Sequence, residues 1–335
     1  MDKELLKILV CPYDGTSFEN IYDDKLDLGI LFCNNCLRWY PIKNNIPIIY
    51  RDEDRNISEL SVFDYFNNKL PKEFTESGLP FNAKNNSNSI NQSQYFDYDP
   101  EFYDDLLDSD YIRKIELEYY KNKIECISPI NILELGCGSG RMTLEIAKTN
   151  KNIIAVDYSF QMLLKMKNKI DSASLNNIKL ICCDISFLPI KNIKFDSIVS
   201  YQVFEHFPKS FRSKTYNKIN ELLAADGSFH LSVYNWSLAK KIYSKKISYN
   251  ENEYGKTKEQ YWFNFTSKEL KTELQECFEV QNISGIRNIP ARSIVDKINM
   301  AFVSKIFYVF DKFITKIGLG KYLGHLLYAI AKKKL

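Results

Sequence analysis

The sequence predicts an α/β fold: a doubly wound, mostly parallel sheet of seven strands, preceded by a small separate domain. Three observations predict it. From residue 131 onward, short apolar runs of strand length alternate with segments of helical period, the pattern of a parallel sheet covered on both faces by helices. The first of these runs ends in a turn with glycine at alternate positions, Gly136, Gly138 and Gly140, a geometry in which backbone N–H groups can approach a polar ligand closely. The first fifty or so residues carry Cys11-x2-Asp14, then eighteen residues, then Cys33-x2-Cys36.

Taken in order, residues 1–51 form the small unit. Two turns carrying paired ligands bring four side chains, Cys11, Asp14, Cys33 and Cys36, to one tetrahedral point. This is a zinc-ribbon frame in which Asp14 replaces one thiolate, and a domain this small usually needs such a staple. The alternative is a ribbon held by its apolar residues alone. Residues 52–94 read as a connector: Leu60, Phe63 and Phe66 suggest a short helix, whereas Asn82–Gln94 has almost no apolar content and is expected to be poorly ordered. An aromatic, acidic stretch from Tyr95 leads into a helix over about Ser109–Cys126, which either covers the ligand mouth or simply packs.

The core domain, 95–335, then alternates. Strands are predicted at Asn131–Leu135, Ile153–Val156, Ile178–Cys182, Phe195–Ser200 and Ser228–Val233, with later strands at Phe278–Ser284 and Leu326–Ala331. Helices are predicted at Met142–Lys148, Gln161–Lys169 and Phe211–Leu223, the last closed by Asp226-Gly227. Thr266-Ser267-Lys-Glu269 opens a further helix with capping residues.

The glycine turn lacks the third glycine of a dinucleotide fingerprint, because Arg141 stands there, and it lacks the Lys-Ser/Thr of a phosphate loop. Its neighbours sharpen it. Asp157 ends the second strand, where a carboxylate can accept both hydroxyls of a ribose; its alternative role is to cap the helix from Gln161. Asp184 ends the third strand and can accept from an exocyclic amine, or be a turn residue. The fourth strand runs into Tyr201-Gln-Val-Phe-Glu-His206.

Leu133-Glu-Leu-Gly-Cys-Gly-Ser-Gly-Arg, Ala155-Val-Asp-Tyr-Ser, Cys183-Asp-Ile-x-x-Leu-Pro and Phe195-Asp-x-Ile-Val-Ser-x-x-Val-x-Glu-His together resemble the class I S-adenosylmethionine-dependent methyltransferases, the type 11 subgroup in particular. The resemblance implies a Rossmann-like methyltransferase fold whose last strand is antiparallel. It implies that Glu134 and the turn Gly136, Cys137, Gly138, Ser139 and Gly140 hold the amino-acid part of S-adenosyl-L-methionine. Asp157 with Tyr158 would hold the ribose, Asp184 with Ile185 the adenine, and Tyr201 and Gln202 would lie near the methyl group. Tyr201 and His206 are the candidate catalytic residues; a structural role for Glu205-His206 is the alternative. The N-terminal Leu-Leu-x-Ile-Leu-Val-Cys-Pro, Cys-x-x-Cys and Tyr-Pro-Ile segments resemble the zinc-ribbon activator subunits of tRNA and rRNA methyltransferases, departing at Asp14. One structural Zn²⁺ is expected.

Net charge of +3 with 26% charged residues does not by itself indicate a nucleic-acid partner, although from Trp236 onward there are eighteen Lys/Arg against nine Asp/Glu. The N-terminus has no signal-peptide pattern and no run is long enough to span a bilayer. Cysteine usage suggests a reducing, cytoplasmic setting. Two inserts, about 234–265 and 290–320, are expected to define the acceptor. The first is aromatic and basic. The second carries an apolar stripe (Val295, Ile298, Phe302, Ile306, Val309, Phe313, Ile317), edged by Lys305, Lys312 and Lys316, with Lys297, Ser304, Asp311 and Thr315 opposite. Packing on the domain is the default reading of that stripe, and peripheral membrane contact is the sharper one. Base-amine and glutamine-amide methyltransferases carry Asn/Asp-Pro-Pro-aromatic after the fourth strand; Ser200-Tyr-Gln-Val stands here and disfavours that class. A small-molecule, glycan or lipid-linked acceptor is the leading expectation. The alternatives are a tRNA/rRNA methyltransferase and a non-catalytic scaffold, and the oligomeric state is left open.

Overall fold

The computed structural model describes residues 2–55, 59–76, 110–125, 130–149, 151–243, 261–288 and 301–334. The polar tract 82–94, the aromatic stretch 95–103, most of the first insert and residues 290–300 of the second lie outside them.

Seven strands build the doubly wound sheet. They are β5 (Asn131–Leu135), β6 (Asn152–Asp157), β7 (Ile178–Cys183), β8 (Phe195–Tyr201), β9 (Leu223–Tyr234), β10 (Phe278–Ile286) and β11 (Leu326–Lys333). Their order is β7-β6-β5-β8-β9-β11-β10. The first five pair in parallel, while β11 slots antiparallel between β9 and β10. The resemblance implied this antiparallel last strand. Continuous apolar runs such as Ile153–Val156 are buried on both faces of the sheet, as parallel strands between two helical layers must be. Asp196 holds the start of β5: its Oδ2 accepts from the Ile130 and Asn131 N–H groups at 2.9 Å each.

The N-terminal module is a four-stranded antiparallel meander, β1 (Glu19–Asp23), β2 (Leu28–Phe32), β3 (Trp39–Lys43) and β4 (Ile46–Ile49), preceded by α1 (Lys3–Ile8). Asn44 and Asn45 join β3 to β4 with φ of 51° and 61°, the left-handed pair that a tight hairpin turn needs and that Asn tolerates. The module does not stand apart. β4 pairs in parallel with β7, Ile48 opposite Cys182 and Ile49 opposite Cys183, so one eleven-stranded sheet runs through both parts. Val10 N–H donates to Pro189 O at 3.0 Å and Lys191 N–H to Ile8 O at 3.0 Å. Leu5, Leu9, Tyr40 and Ile49 share one core with Leu133, Val156 and Phe229. α2 (Leu60–Phe66) sits where the apolar spacing places a helix and packs on the ribbon, Phe63 stacking on Trp39 at 4.8 Å.

The remaining helices described are α3 (Lys72–Glu76), α4 (Asp110–Glu125), α5 (Thr143–Ala147), α6 (Phe160–Ser172), α7 (Lys209–Leu222), α8 (Leu238–Tyr243), α9 (Ser267–Leu274), α10 (Ala301–Lys316) and α11 (Gly320–Leu323). α9 begins with a capping box, Glu269 N–H to Thr266 Oγ1 at 3.2 Å and Thr266 N–H to Glu269 Oε2 at 2.8 Å. One expected boundary moves. Asp226-Gly227 does not close α7, which ends at Leu222. The pair lies inside β9, where Leu223 faces Phe195 and Ser228 faces Ser197, so four residues bulge out of the ladder.

Candidate functional site

The glycine turn leaves β5 at the carboxyl edge of the sheet. Gly136, Gly138 and Gly140 have φ of +75°, +55° and +87°, a region that residues with a Cβ avoid. Steric room divides the three. A Cβ on Gly136 would come within 2.3 Å of Val203 and one on Gly140 within 2.8 Å of Met166, while Gly138 has nothing within 4 Å of that position. The outer glycines are therefore required by packing and the middle one faces open space. Ser139 O accepts from Lys169 Nζ at 3.1 Å, and Cys137 N–H donates to Val156 O at 3.0 Å.

Glu134 lies under this turn, 2% exposed, with no hydrogen-bond partner for Oε2 among the described residues. Burial pushes its carboxyl up to about 7. A buried acceptor atom without a donor is costly unless a ligand supplies one. Asp157 binds the turn, its Oδ2 accepting from Gly138 N–H at 2.8 Å and its Oδ1 from Ser159 N–H at 2.9 Å. Capping of α6 falls to Ser159, whose Oγ accepts from Met162 N–H at 3.1 Å, rather than to Asp157.

Asp184 is engaged by the protein on both oxygens. Oδ1 accepts from Ser186 N–H at 2.7 Å and from Ser186 Oγ at 2.8 Å, and Oδ2 pairs with Arg51 at 3.2 Å. Ile185 is buried beside it. Tyr158 packs against Tyr50 at 5.0 Å, and Tyr50 Oη donates to Tyr158 O at 2.7 Å. Two residues just past β4 thus reach the end of the site where a nucleoside is expected. Only pairing across the sheet brings them there, and nothing in their local sequence signals it.

At the other end, Tyr201 is buried, stacked on Tyr120 at 4.4 Å, its hydroxyl without a partner among the described residues. Gln202 is held at φ +60° and its Nε2 donates to Glu116 Oε2 at 3.2 Å. Glu116, fully buried on α4, also binds Arg141 at 2.7 Å and Arg287 at 2.8 Å. Burial opposes its charge, and the two guanidiniums outweigh burial and hold the carboxyl below its usual range. So α4 clamps the glycine turn, the end of β8 and the end of β10 together. The sequence reading missed Glu116 and Arg287; a lone Glu on the buried face of a helix was the one available signal.

His206 is buried with Nδ1 3.2 Å from Tyr261 O and its ring edge-on to Trp262 at 4.9 Å. Because a carbonyl only accepts, Nδ1 carries the proton and Nε2 the lone pair. Burial depresses its pKa to about 4, so it is neutral at pH 7 and weakly basic. Trp262 also packs on Tyr234 at 4.7 Å, so the described part of the first insert roofs this end of the site. Beside it Glu205 is fully buried with neither carboxylate oxygen partnered among the described residues, and burial raises it to about 8.

Away from this edge, Cys11, Asp14, Cys33 and Cys36 place their ligand atoms within 4.8 Å of one another. Cys11 Sγ and Cys36 Sγ are 3.5 Å apart, and Cys33 Sγ is 3.3 Å from Asp14 Oδ2. A tetrahedral zinc with arms of about 2.3 Å sets its thiolates roughly 3.8 Å apart. The four residues fit a zinc ion. Asn35 Nδ2 donates to Asp14 Oδ2 at 3.0 Å and steadies the carboxylate.

Residues 132–227 match the methyltransferase domain family and residues 2–45 match the Trm112p-like protein family. The chain carries a Rossmann-like methyltransferase domain joined to a Trm112p-like N-terminal module. The ubiquinone biosynthesis O-methyltransferase of Coxiella burnetii is 30% identical over 97 residues, 29% of this chain and 41% of that protein. The (S)-coclaurine N-methyltransferase of Thalictrum flavum subsp. glaucum is 29% identical over 113 residues, 33% of this chain and 30% of that protein. The matched region therefore spans less than half the length of either relative. A Pyrococcus horikoshii OT3 protein of known structure shares the fold at 17% identity and a TM-score of 0.50, covering 72% of this chain and 99% of that one.

Proposed function

We propose that the protein transfers a methyl group from S-adenosyl-L-methionine to a small-molecule acceptor. The observation that carries this reading is the pairing of an open, left-handed glycine turn at Gly138 with the buried Glu134, whose Oε2 has no donor among the described residues. An amino-acid ammonium matches Glu134. The hydroxyls of a ribose match Asp157, whose orientation the Gly138 and Ser159 N–H groups hold. Tyr158, Asp184 and Ile185 wall the nucleoside, and Tyr201 and Gln202 stand at the reacting end.

When bound, the cofactor supplies an electrophilic sulfonium methyl and an excellent leaving group, so the chain's task is alignment and exclusion of water. Glu116 fixes Gln202 and Arg141 for that purpose. A neutral His206 with pKa near 4 is a weak base, and its bond to Tyr261 O supports a positioning role: it fixes the Trp262 roof. A small-molecule acceptor is supported by the names of the two relatives, a ubiquinone-biosynthesis and a coclaurine enzyme. The gathering of Cys11, Cys33 and Cys36 with Asp14 as a metal-ligand set supports a reducing cytoplasmic setting.

Titration calorimetry with S-adenosylmethionine and its demethylated product tests the reading. Wild type should bind both, and Asp157→Ala should lose most of the heat. Absence of binding to wild type would overturn it.

A further inference from the structure

We propose that α8, α10 and α11 form a docking face for an anionic lipid bilayer. The inference is independent of the methyl-transfer reading. α10 is amphipathic; packing on the domain is the default expectation for its apolar stripe and peripheral membrane contact the sharper one. The described part of the stripe, from Ile306 on, faces outward instead. Ile306, Val309, Phe310, Phe313 and Ile317 follow helical spacing on one face and are all exposed, Val309 to 66%.

Polar bonds hold the helix the other way round. Asp311 is buried, with Oδ2 accepting from Asn288 N–H at 2.6 Å and Oδ1 from Asn288 Nδ2 at 2.9 Å. One turn on, Thr315 Oγ1 donates to Gly285 O at 3.1 Å. Tyr308 bonds Glu118 of α4. A helix seated by its polar side that leaves two phenylalanines and three aliphatic side chains in water is unusual for a monomer surface.

The face continues beyond α10. Leu319, Tyr322 and Leu323 at α11 are exposed, as are Leu238 and, to 87%, Ile242 on α8. Asn235, at the end of β9 just before α8, ties to α11 through Nδ2 to Gly324 O at 2.8 Å. Most of the large apolar side chains that the described chain leaves exposed belong to these three helices and their connections.

Charge selects the occupant. Residues 301–325 contain Lys305, Lys312, Lys316 and Lys321 against the single acid Asp311, and that acid is turned inward. α8 adds Lys240 and Lys241 and no acid. Lys241, Lys312 and Lys316 are exposed, Lys312 also pairing with Glu118 of α4 at 3.4 Å. Apolar side chains ringed by lysines match an interfacial helix, whose face enters the acyl boundary while ammonium groups meet anionic headgroups. Among the described residues no helix is long and apolar enough to cross a membrane, so the contact is with one leaflet.

Vesicle flotation of the full chain tests this, comparing phosphatidylcholine alone with phosphatidylcholine containing phosphatidylglycerol. Wild type should float with the anionic vesicles and much less with the neutral ones. Phe310→Ser/Phe313→Ser should lower the partition by roughly tenfold or more, and Lys241→Glu/Lys316→Glu should lower it in the anionic case only. Both variants should keep the wild-type thermal midpoint and the wild-type heat of S-adenosylmethionine binding, which separates this surface from the cofactor site. Failure of wild type to float, or floating unchanged in the phenylalanine variant, overturns the proposal. So does a dimer in solution that the phenylalanine substitutions dissociate while vesicle binding is absent, since the face would then join two chains.

Discussion

Arg51, two residues beyond the last ribbon strand, lies 3.2 Å from the Asp184 carboxylate at the end of β7. Arg51 also pairs with Asp54 at 2.9 Å, which fixes the guanidinium on the module side. The module is thus coupled electrostatically to a residue that the family resemblance places beside the adenine. Arg51→Ala should weaken binding of S-adenosylmethionine about three- to tenfold, the scale of a partly buried ion pair near 1 kcal/mol. Calorimetry measures it, and an unchanged dissociation constant would mean that Asp184 needs no partner from the module.

The metal cluster should report on the whole chain. Because β4 is laddered to β7 and shares its core, loss of the ribbon staple exposes an edge of the catalytic sheet. Cys33→Ser should lose zinc by elemental analysis and lower a single calorimetric transition by several degrees, an effect of about 1–3 kcal/mol. Two separate transitions, the larger one unmoved, would show that the parts fold independently.

The three glycines should respond differently to alanine. Gly140→Ala meets Met166 at 2.8 Å with φ of +87° and should cost stability, on the order of 2–3 kcal/mol. Gly138→Ala meets nothing and should cost only about 1 kcal/mol for its backbone angle, yet its methyl projects into the space assigned to the ligand. Urea midpoints and calorimetry together check this. The expected result is a binding loss in Gly138→Ala out of proportion to its stability loss.

Glu205 makes stability depend on pH. Its folded pKa is about 8 against an ordinary 4.5. Between those values the folded state keeps a proton that the unfolded chain has released, so stability falls as pH rises through the window. Glu134, raised to about 7, adds to the slope below pH 7, so Glu205→Gln should remove most of the fall between pH 7 and 8 and be more stable than wild type at pH 8, by on the order of 3 kcal/mol. Buried His206 and His230, both near 4 against 6.5, act on the other side. The unfolded chain takes up protons that they refuse, so stability falls as pH drops from 6.5 toward 4. Wild type should be most stable near pH 6. Urea midpoints at pH 5, 6.5 and 8 test both limbs, and a wild-type midpoint that rises from pH 6.5 to 8 would contradict the assignment to Glu205.

Local chemistry was legible in the sequence. Apolar runs such as Ile153–Val156 and Phe195–Ser200 marked their strands because a sheet buried on both faces admits few other residues. Glycine at 136, 138 and 140 marked the turn, because positive φ excludes most side chains. Thr266 and Glu269 marked a helix start through bonds only three residues apart, and four ligands in two short loops marked the metal cluster. Each signal is carried by neighbours in the chain.

Relations between distant segments were decided by the tertiary structure alone. Periodicity told that residues 306–317 have an apolar stripe, but not which way it faces; Asp311 bonding Asn288 turned it outward. Nothing near Glu116 announced that Arg141, just past the glycine turn, and Arg287, just past β10, would converge on it. Ile48 and Ile49 read as an ordinary strand, and only their ladder with Cys182 and Cys183 makes the ribbon part of the catalytic sheet. Local steric and capping rules act over a few residues, whereas these contacts join segments tens to hundreds of residues apart, and their partners exist only once the chain has closed.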